Sequence, residues 1–375
     1  MNYALQTLWH ERSRYLPGIL AVAFSAVLIA LQCGLLLGLF SITSLPIDNS
    51  GADIWVGSPQ VLSVDLGRPI PQSFMSRIAQ DRRVEYVEPY YEAFASWTKP
   101  DGGSELTLVI GCNVNEHSLG AVHELTPAMR VLLTQPGSVV VDESELGRLG
   151  VKGVGEKAEI NKQSVQIVGL VKGFKSLAGP YVFCSRDTAR SLLRIVMPSD
   201  HATFLLVKCK NKDDAPAVVA ELRKEYSEDM ATYTSEEFSL HSRLHWLTKT
   251  KAGIAIGYAA ILGLLVGMVV TSQTLYAATT ASSREFAILL ALGIPRWRIS
   301  LMVMTQSFWV GVVGAIVAYP TVQGLAALGE LGGVNVFLPW WLMLSSAGVT
   351  ILMALSAGLL ALRSVRQIEP MTLLR

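Results

Sequence analysis

SSREFAILLALGIPRWRIS runs from Ser282 to Ser300, between two of the longest charge-free segments of the chain. It holds an Arg-Glu pair, a short apolar run, a Gly-Ile-Pro break, and then Arg296, Trp297 and Arg298. Phe286, Leu289, Leu290 and Leu292 fall at helical spacing, and Gly293 with Pro295 two residues on supplies a stop. If both flanking segments cross a membrane, this stretch is a loop that carries its own apolar helix. Such a helix needs cover. It either lies among lipid headgroups, with Arg284 and Arg298 as anchors, or seats in a partner protein.

The flanks do read as membrane spans. Four segments lack Asp, Glu, Lys and Arg: Tyr15 to Ile47, Ala252 to Ser283, Ile299 to Gly329, and Leu331 to Leu362. Each exceeds the roughly 20 residues that a bilayer-crossing helix requires. The first is too long for a signal-peptide core and no small-residue cleavage site follows it, so it reads as a retained first helix. Charged residues make up only 16% of the 375-residue chain, against roughly 25% in soluble domains. A formal net charge of +1 and the lack of a basic stripe argue against nucleic acid as a partner.

Basic residues set the expected orientation. Arg12 and Arg14 precede the first span, Arg284, Arg296 and Arg298 separate the second from the third, and Arg363, Arg366 and Arg375 follow the fourth. The connection from Leu325 to Leu338 has no Lys or Arg. Both termini and the Ser282–Ser300 stretch are therefore expected in the cytoplasm, and the segment from about Ser44 to Lys251 outside.

The external segment alternates between strand and helix patterns. Ala52–Ser58, VEYVEPYYEAFASWT, ELTLVIGCNV and Ala202–Lys210 read as strands, and Pro71–Gln80 and Ala215–Tyr226 as helices. These form an α+β lobe in two pieces, about 52–113 and 200–233. A mostly-β lobe, about 114–199, is inserted between them. It contains SVVVDESELGRLG, a strand and a helix stopped at Gly150, and a hairpin turning at Asn161 to Ser164. Thr234 and Glu237 have capping-box spacing. A helix starting there meets no breaker before the second span, so it would project as a stalk about 27 Å long, with Phe238, Leu240, Leu244 and Leu247 as its apolar stripe. The resulting layout is a cytoplasmic segment 1–14, first span 15–47, external domain 48–233, stalk and second span 234–276, cytoplasmic helix 277–299, third span 300–325, fourth span 338–362 and cytoplasmic tail 363–375.

Catalytic patterns are absent from the sequence. There is no GxxxxGK[ST], HExxH or GxSxG. His241 and His245 share a helix face but lack a third ligand, and read as solvated stalk residues. Cys112, Cys184 and Cys209 are widely spaced and read as buried small thiols. The spans contain no ionisable residue, which weighs against a proton-coupled transporter. Gly34 and Gly38, Gly253 and Gly257, and Gly263 and Gly267 each fit GxxxG and are candidates for helix–helix interfaces.

REFAILLALGIPRWRI after the second span, together with one span, a large external domain and three more spans, resembles the FtsX-like and MacB-like permeases of ABC transporters, the mechanotransmission class. The tail ALRSVRQIEPMTLLR, with Ile368, Pro370, Leu374 and Arg375, and the inserted VVVDESELGRLGVKGVGEKAEI are similar to the same family over the whole chain. GADIWVGSPQ and VEPYYEAFASW resemble its DevC-like branch. The resemblance implies an α-helical membrane protein with four spans and a large α+β extracytoplasmic domain in a bacterial inner membrane. It implies a coupling helix for a cytoplasmic ABC ATPase subunit, formed by Arg284, Glu285, Phe286, Leu289, Ala291, Leu292 and Gly293. The chain itself would need no cofactor and catalyse no reaction, with ATP and Mg held by the partner. A homodimer, a periplasmic adaptor and an outer-membrane channel complete the implied assembly, which acts on a lipid, lipoprotein, peptide or drug-like substrate. The alternative within the family is a signalling scaffold that regulates an extracytoplasmic partner such as a cell-wall hydrolase.

Overall fold

The computed structural model describes residues 12–176, 178–281, 288–289, 292–331 and 336–366. It divides into two compact units, Met1–Leu39 with Lys251–Arg375, and Phe40–Thr250.

Four long helices make the first unit: Arg12–Ile42, Lys251–Ala281, Arg296–Leu331 and Trp340–Arg366. Each contains a stretch long and apolar enough to cross a membrane. The third begins at Arg296, directly after the Gly293–Pro295 break, and continues to Leu331 past an internal Pro320. It is longer at both ends than the 300–325 read from charge alone. Small residues set the approach of these helices. A Cβ on Gly314 would lie 2.6 Å from Val22, and one on Gly358 would lie 2.3 Å from the Ser307 hydroxyl. Val22, Val310, Ala354 and Ala357 form a buried cluster among the first, third and fourth helices.

The second unit is built on one nine-stranded sheet in the order β11-β1-β10-β3-β4-β8-β5-β7-β6. Its strands are β1 (Ile54–Gly57), β3 (Val84–Thr98), β4 (Ser104–Cys112), β5 (Ser138–Asp142), β6 (Lys157–Ile160), β7 (Gln163–Val171), β8 (Tyr181–Ser185), β10 (Phe204–Cys209) and β11 (Ala231–Thr234). The short β2 (Ile70–Pro71) and β9 (His201–Ala202) pair separately. β3 spans both lobes. Its first half pairs with β10, from Val84 to Tyr90, and its second half with β4, from Tyr91 to Thr98. The handover falls beside Pro89, which has no N–H to give to a ladder. The end of β3 also pairs with β6, Trp97 opposite Ile160, which closes β3-β4-β8-β5-β7-β6 into a barrel.

These pairings correct the lobe boundary expected at residue 113. β4 runs parallel to β8 inside the barrel, so it belongs to the inserted lobe, and the two lobes meet within β3. The hairpin and helix limits follow local chemistry. Asn161 and Lys162 both take positive φ, 49° and 67°, the conformation of a two-residue hairpin turn. Gly150 ends its helix at φ 70°. Ala215, Val218, Val219 and Leu222, spaced along one face of the helix Ala215–Tyr226, are buried in the core with Ile54, Val56, Leu205 and Val207.

The stalk helix, Ser235–Thr248, opens on a complete capping box. The Thr234 hydroxyl accepts from the Glu237 N–H at 3.2 Å, and the Glu237 carboxylate accepts from the Thr234 N–H at 3.3 Å, worth about 1 kcal/mol. The expected continuous helix into the second span is interrupted at Lys249 and Thr250. Thr248 bonds back to the Leu244 carbonyl at 2.7 Å, and Thr250 to that of Trp246. Threonines that compete in this way for helical carbonyls weaken a helix.

Candidate functional site

The chain passes between the two units at two places, Leu39–Phe40 and Thr250–Lys251. The external segments next to these crossings are tied together. Arg243 of the stalk helix reaches Asp48 at 2.6 Å and donates from Nε to the Ser44 hydroxyl at 2.8 Å. Ser44 and Ser239 both donate to the Asp48 carboxylate, each at 2.7 Å. The Arg243 and Asp48 side chains are about one-third exposed, so the ion pair alone contributes on the order of 0–1 kcal/mol. The shared acceptor makes it a fixed joint.

Above this clasp the stalk docks through polar atoms and one aromatic ring. Phe238 is buried, with Trp55 at 5.7 Å and Phe204 at 5.5 Å between ring centroids, and it stacks on Tyr233 at 5.4 Å. A strap, residues Val61 to Leu66, lies along the helix. The Val64 N–H donates to the Ser242 hydroxyl at 3.1 Å, Trp246 Nε1 donates to Ser63 at 3.0 Å, and His241 Nε2 sits 3.1 Å from the Val61 carbonyl.

The docking face is therefore Phe238, Ser239, Ser242 and Trp246. In the expected stripe only Phe238 is buried, and Leu240 and Leu244 are exposed. His241 is not the solvated residue expected from the sequence, since it stacks on Tyr233 at 5.3 Å. Among the described residues no group of three His, Cys, Asp or Glu side chains gathers to hold a metal. Cys112, Cys184 and Cys209 are buried free thiols, as read from their spacing. Burial pushes the Cys112 thiol up to about 12 and that of Cys209 to about 11.

Of the seven residues assigned to the coupling helix, Arg284, Glu285, Phe286 and Ala291 lie outside the described residues. The other three are placed. The Leu292 N–H donates to the Ile288 carbonyl at 3.0 Å and that of Ile294 to Leu289 at 3.1 Å, and Gly293 takes φ 84°. Leu289 packs against Ile299, Val303 and Leu362. Leu292 is 74% exposed. The two leucines thus have different surroundings, one inside its own unit and one free to meet a partner. Ile368, Pro370, Leu374 and Arg375 of the tail also lie outside the described residues.

The glycine pairs separate as well. A Cβ on Gly263 would lie 2.3 Å from Gln32 Oε1, and one on Gly267 would lie 3.0 Å from the Ser25 Cβ. Ser25 donates to the Gly267 carbonyl at 3.1 Å and sits 3.1 Å from the Thr271 hydroxyl. These two glycines hold the second span helix against the first. Gly34 meets Val336 and Leu338 instead, and Gly257 faces open space. Gly38 and Gly253 are buried. Gly263→Leu should therefore force the first two spans apart. In a chain carrying Ser25→Cys, Thr271→Cys and Cys33→Ser, we expect it to lower oxidative cross-linking by about fivefold or more, the equivalent of about 1 kcal/mol. Gly257→Leu should leave the yield unchanged. Equal yields for both would show that Gly263 sets no helix contact.

Comparison with known proteins agrees with this architecture. Residues 19–225 match the model of the MacB-like periplasmic core domain, and residues 257–370 that of the FtsX-like permease C-terminal region. No curated protein matches the chain. The periplasmic region of MacB from Actinobacillus actinomycetemcomitans is similar at 13% identity, covering 51% of this chain and 92% of that one, with a TM-score of 0.34. The extracellular domain of the noncanonic ABC-type transporter YknZ from Gram-positive bacteria is similar at 9% identity, covering 48% and 99%, with a TM-score of 0.33. Neither family model marks a DevC-like branch. With one model spanning over half of the sequence and the other its last three span helices, the chain belongs to the MacB-like and FtsX-like permease family, as a multi-pass membrane protein with a large α+β domain between its first and second spans.

Proposed function

We propose that the chain is the permease subunit of an ABC system whose ATPase is a separate cytoplasmic protein. The observation that carries this reading is Leu292, a three-quarters exposed leucine on a tight turn between the second and third spans. An apolar side chain held out at such a place fits a groove in a partner. In this reading both termini lie on the ATPase side of a bacterial inner membrane. A homodimer brings two turns to two ATPases, and their closure moves the second span and the stalk. The clasp at Asp48 and the strap then pass that motion to the external sheet. The work done outside is export or extraction of a lipid, lipoprotein, peptide or drug-like molecule, with a periplasmic adaptor and an outer-membrane channel as further partners.

The test is purification of the tagged full chain from its native membrane. We expect an ABC ATPase to be recovered with it, and ATP turnover only in fractions that contain that subunit. Recovery of intact chain with no ATPase, or turnover by the chain alone, would refute the reading.

A further inference from the structure

Two glutamates of β3, Glu88 and Glu92, are buried on the same face of the strand and have opposite surroundings. Glu88 accepts from the Asn113 N–H at 3.2 Å, the Ser118 hydroxyl at 2.9 Å and the Leu119 N–H at 3.0 Å. Both carboxyl oxygens of Glu92 are buried and meet no donor. The carboxyl of Asp65, on the strap that binds the stalk helix, lies beside Glu92. Asp65 is itself buried and accepts from the Tyr181 hydroxyl of β8 at 2.9 Å. Two carboxyl groups in apolar surroundings satisfy one another only if a proton lies between them.

We propose that Asp65 and Glu92 form a buried proton-binding pair that clips the Val61–Leu66 strap, and through it the stalk helix, to the central sheet, so that acidification tightens this attachment. The proposal concerns the external unit and does not depend on the ATPase reading.

The surroundings fix the direction of the effect. Burial pushes both carboxyls up; the Tyr181 hydroxyl and Glu92 partly offset the rise at Asp65, which stands at about 6, while the Asp65 carboxyl beside Glu92 adds to the rise there, well above the usual carboxylate range. Other titratable groups facing the pair are the hydroxyls of Tyr90 and Tyr181, with Cys112 behind Tyr90. Each of the three is pushed up by burial and stays neutral below its raised value. On its far side the strap meets His241, next to His245 and Lys249 of the same helix.

With one proton shared between them, the pair carries one buried negative charge. A second proton, taken up as pH falls through the Asp65 value, removes that charge. Both carboxyls stand above their unfolded values. The folded strap therefore binds protons more tightly than the opened one, and its attachment strengthens as pH falls from about 7 toward 5.

The experiment uses the full chain in nanodiscs, read by hydrogen exchange over residues 58–67 between pH 5 and pH 8, scaled for intrinsic exchange. We expect protection at least about tenfold greater at pH 5, since a one-unit shift corresponds to tenfold. Asp65→Asn should flatten the profile at the protected level, and His241→Gln should leave it unchanged. Infrared spectra supply a readout that does not require the Asp65 variant to fold. A protonated-carboxyl band should be present at pH 8 in the unaltered protein and lost in Glu92→Gln. The proposal fails if protection does not change with pH, if the change survives Asp65→Asn, or if Glu92→Gln leaves the band in place.

Discussion

Replacing Leu292 by Asp is expected to reduce capture of the ATPase subunit by at least tenfold at equal membrane expression. Leu292 is 74% exposed, so the substitution removes almost nothing from the chain's own packing. What it removes is a contact to be made elsewhere. Full burial of a leucine contributes roughly 1.5–3 kcal/mol, and an unpaired carboxylate in an apolar groove adds a desolvation cost. Each 1.4 kcal/mol is about tenfold in affinity, so even a half-formed contact gives a measurable loss. Leu289→Asp is the informative comparison. That side chain packs on Ile299, Val303 and Leu362, so its replacement should lower the amount of inserted protein before any effect on capture is seen. Quantitative pull-down from membranes with matched chain levels separates the two. If Leu292→Asp holds the ATPase within twofold of the unaltered chain, the turn is not the docking element.

Trp55→Ala should be among the most damaging single truncations in the external unit. Trp55 is fully buried, with Tyr90 at 5.2 Å, Phe204 at 5.4 Å and Phe238 at 5.7 Å between ring centroids. It joins β1, β3, β10 and the stalk helix in one aromatic cluster. Truncating a buried Trp costs about 3–5 kcal/mol, of which the cavity is part. The Trp55 Nε1 has no acceptor, so Trp55→Phe removes an unsatisfied donor as well as volume and should cost less than half as much. Denaturant unfolding followed by far-ultraviolet circular dichroism measures both. A loss under about 1.5 kcal/mol for the alanine variant would show that the cluster can collapse around the gap.

Much of this architecture is legible in the sequence because the relevant signals are local. Charge-free runs mark the spans, and alternation marks the strand from Val84 to Thr98. The spacing of Ala215, Val218, Val219 and Leu222 marks a helix, and Thr234 with Glu237 marks its successor. What escapes is nonlocal. Nothing in VEYVEPYYEAFASWT except Pro89 hints that one strand serves two neighbours in turn. The stalk docks through Ser239, Ser242 and Trp246, and a search for an apolar stripe passes over hydroxyls that find backbone and side-chain partners far away in the chain. Asp48 and Arg243, which form the clasp, look like ordinary surface charges. Glu92 left a trace, since alternation puts it on the same face as Tyr90 and Phe94, but its neighbour Asp65 is reached only through the fold. GxxxG spacing likewise finds Gly263 and Gly267 and cannot say which helix they meet, or that Gly257 meets none.

β3 is also a gauge of fixed length. Its side chains alternate between two cores, Tyr90 toward Trp55 and Phe204, and Tyr91 and Trp97 toward the opposite cluster. Loss or gain of one residue would turn every later side chain to the wrong face. It would misplace Trp97, whose indole donates to the Leu149 carbonyl at 3.0 Å inside the barrel, and misalign Glu92 with the strap in the same step. No lobe could be repaired alone, because the error is written into both. Length can change instead at Asp101–Gly103, where the residues are exposed and Gly102 has nothing around it. A reporter inserted there would ride on the barrel without entering either core.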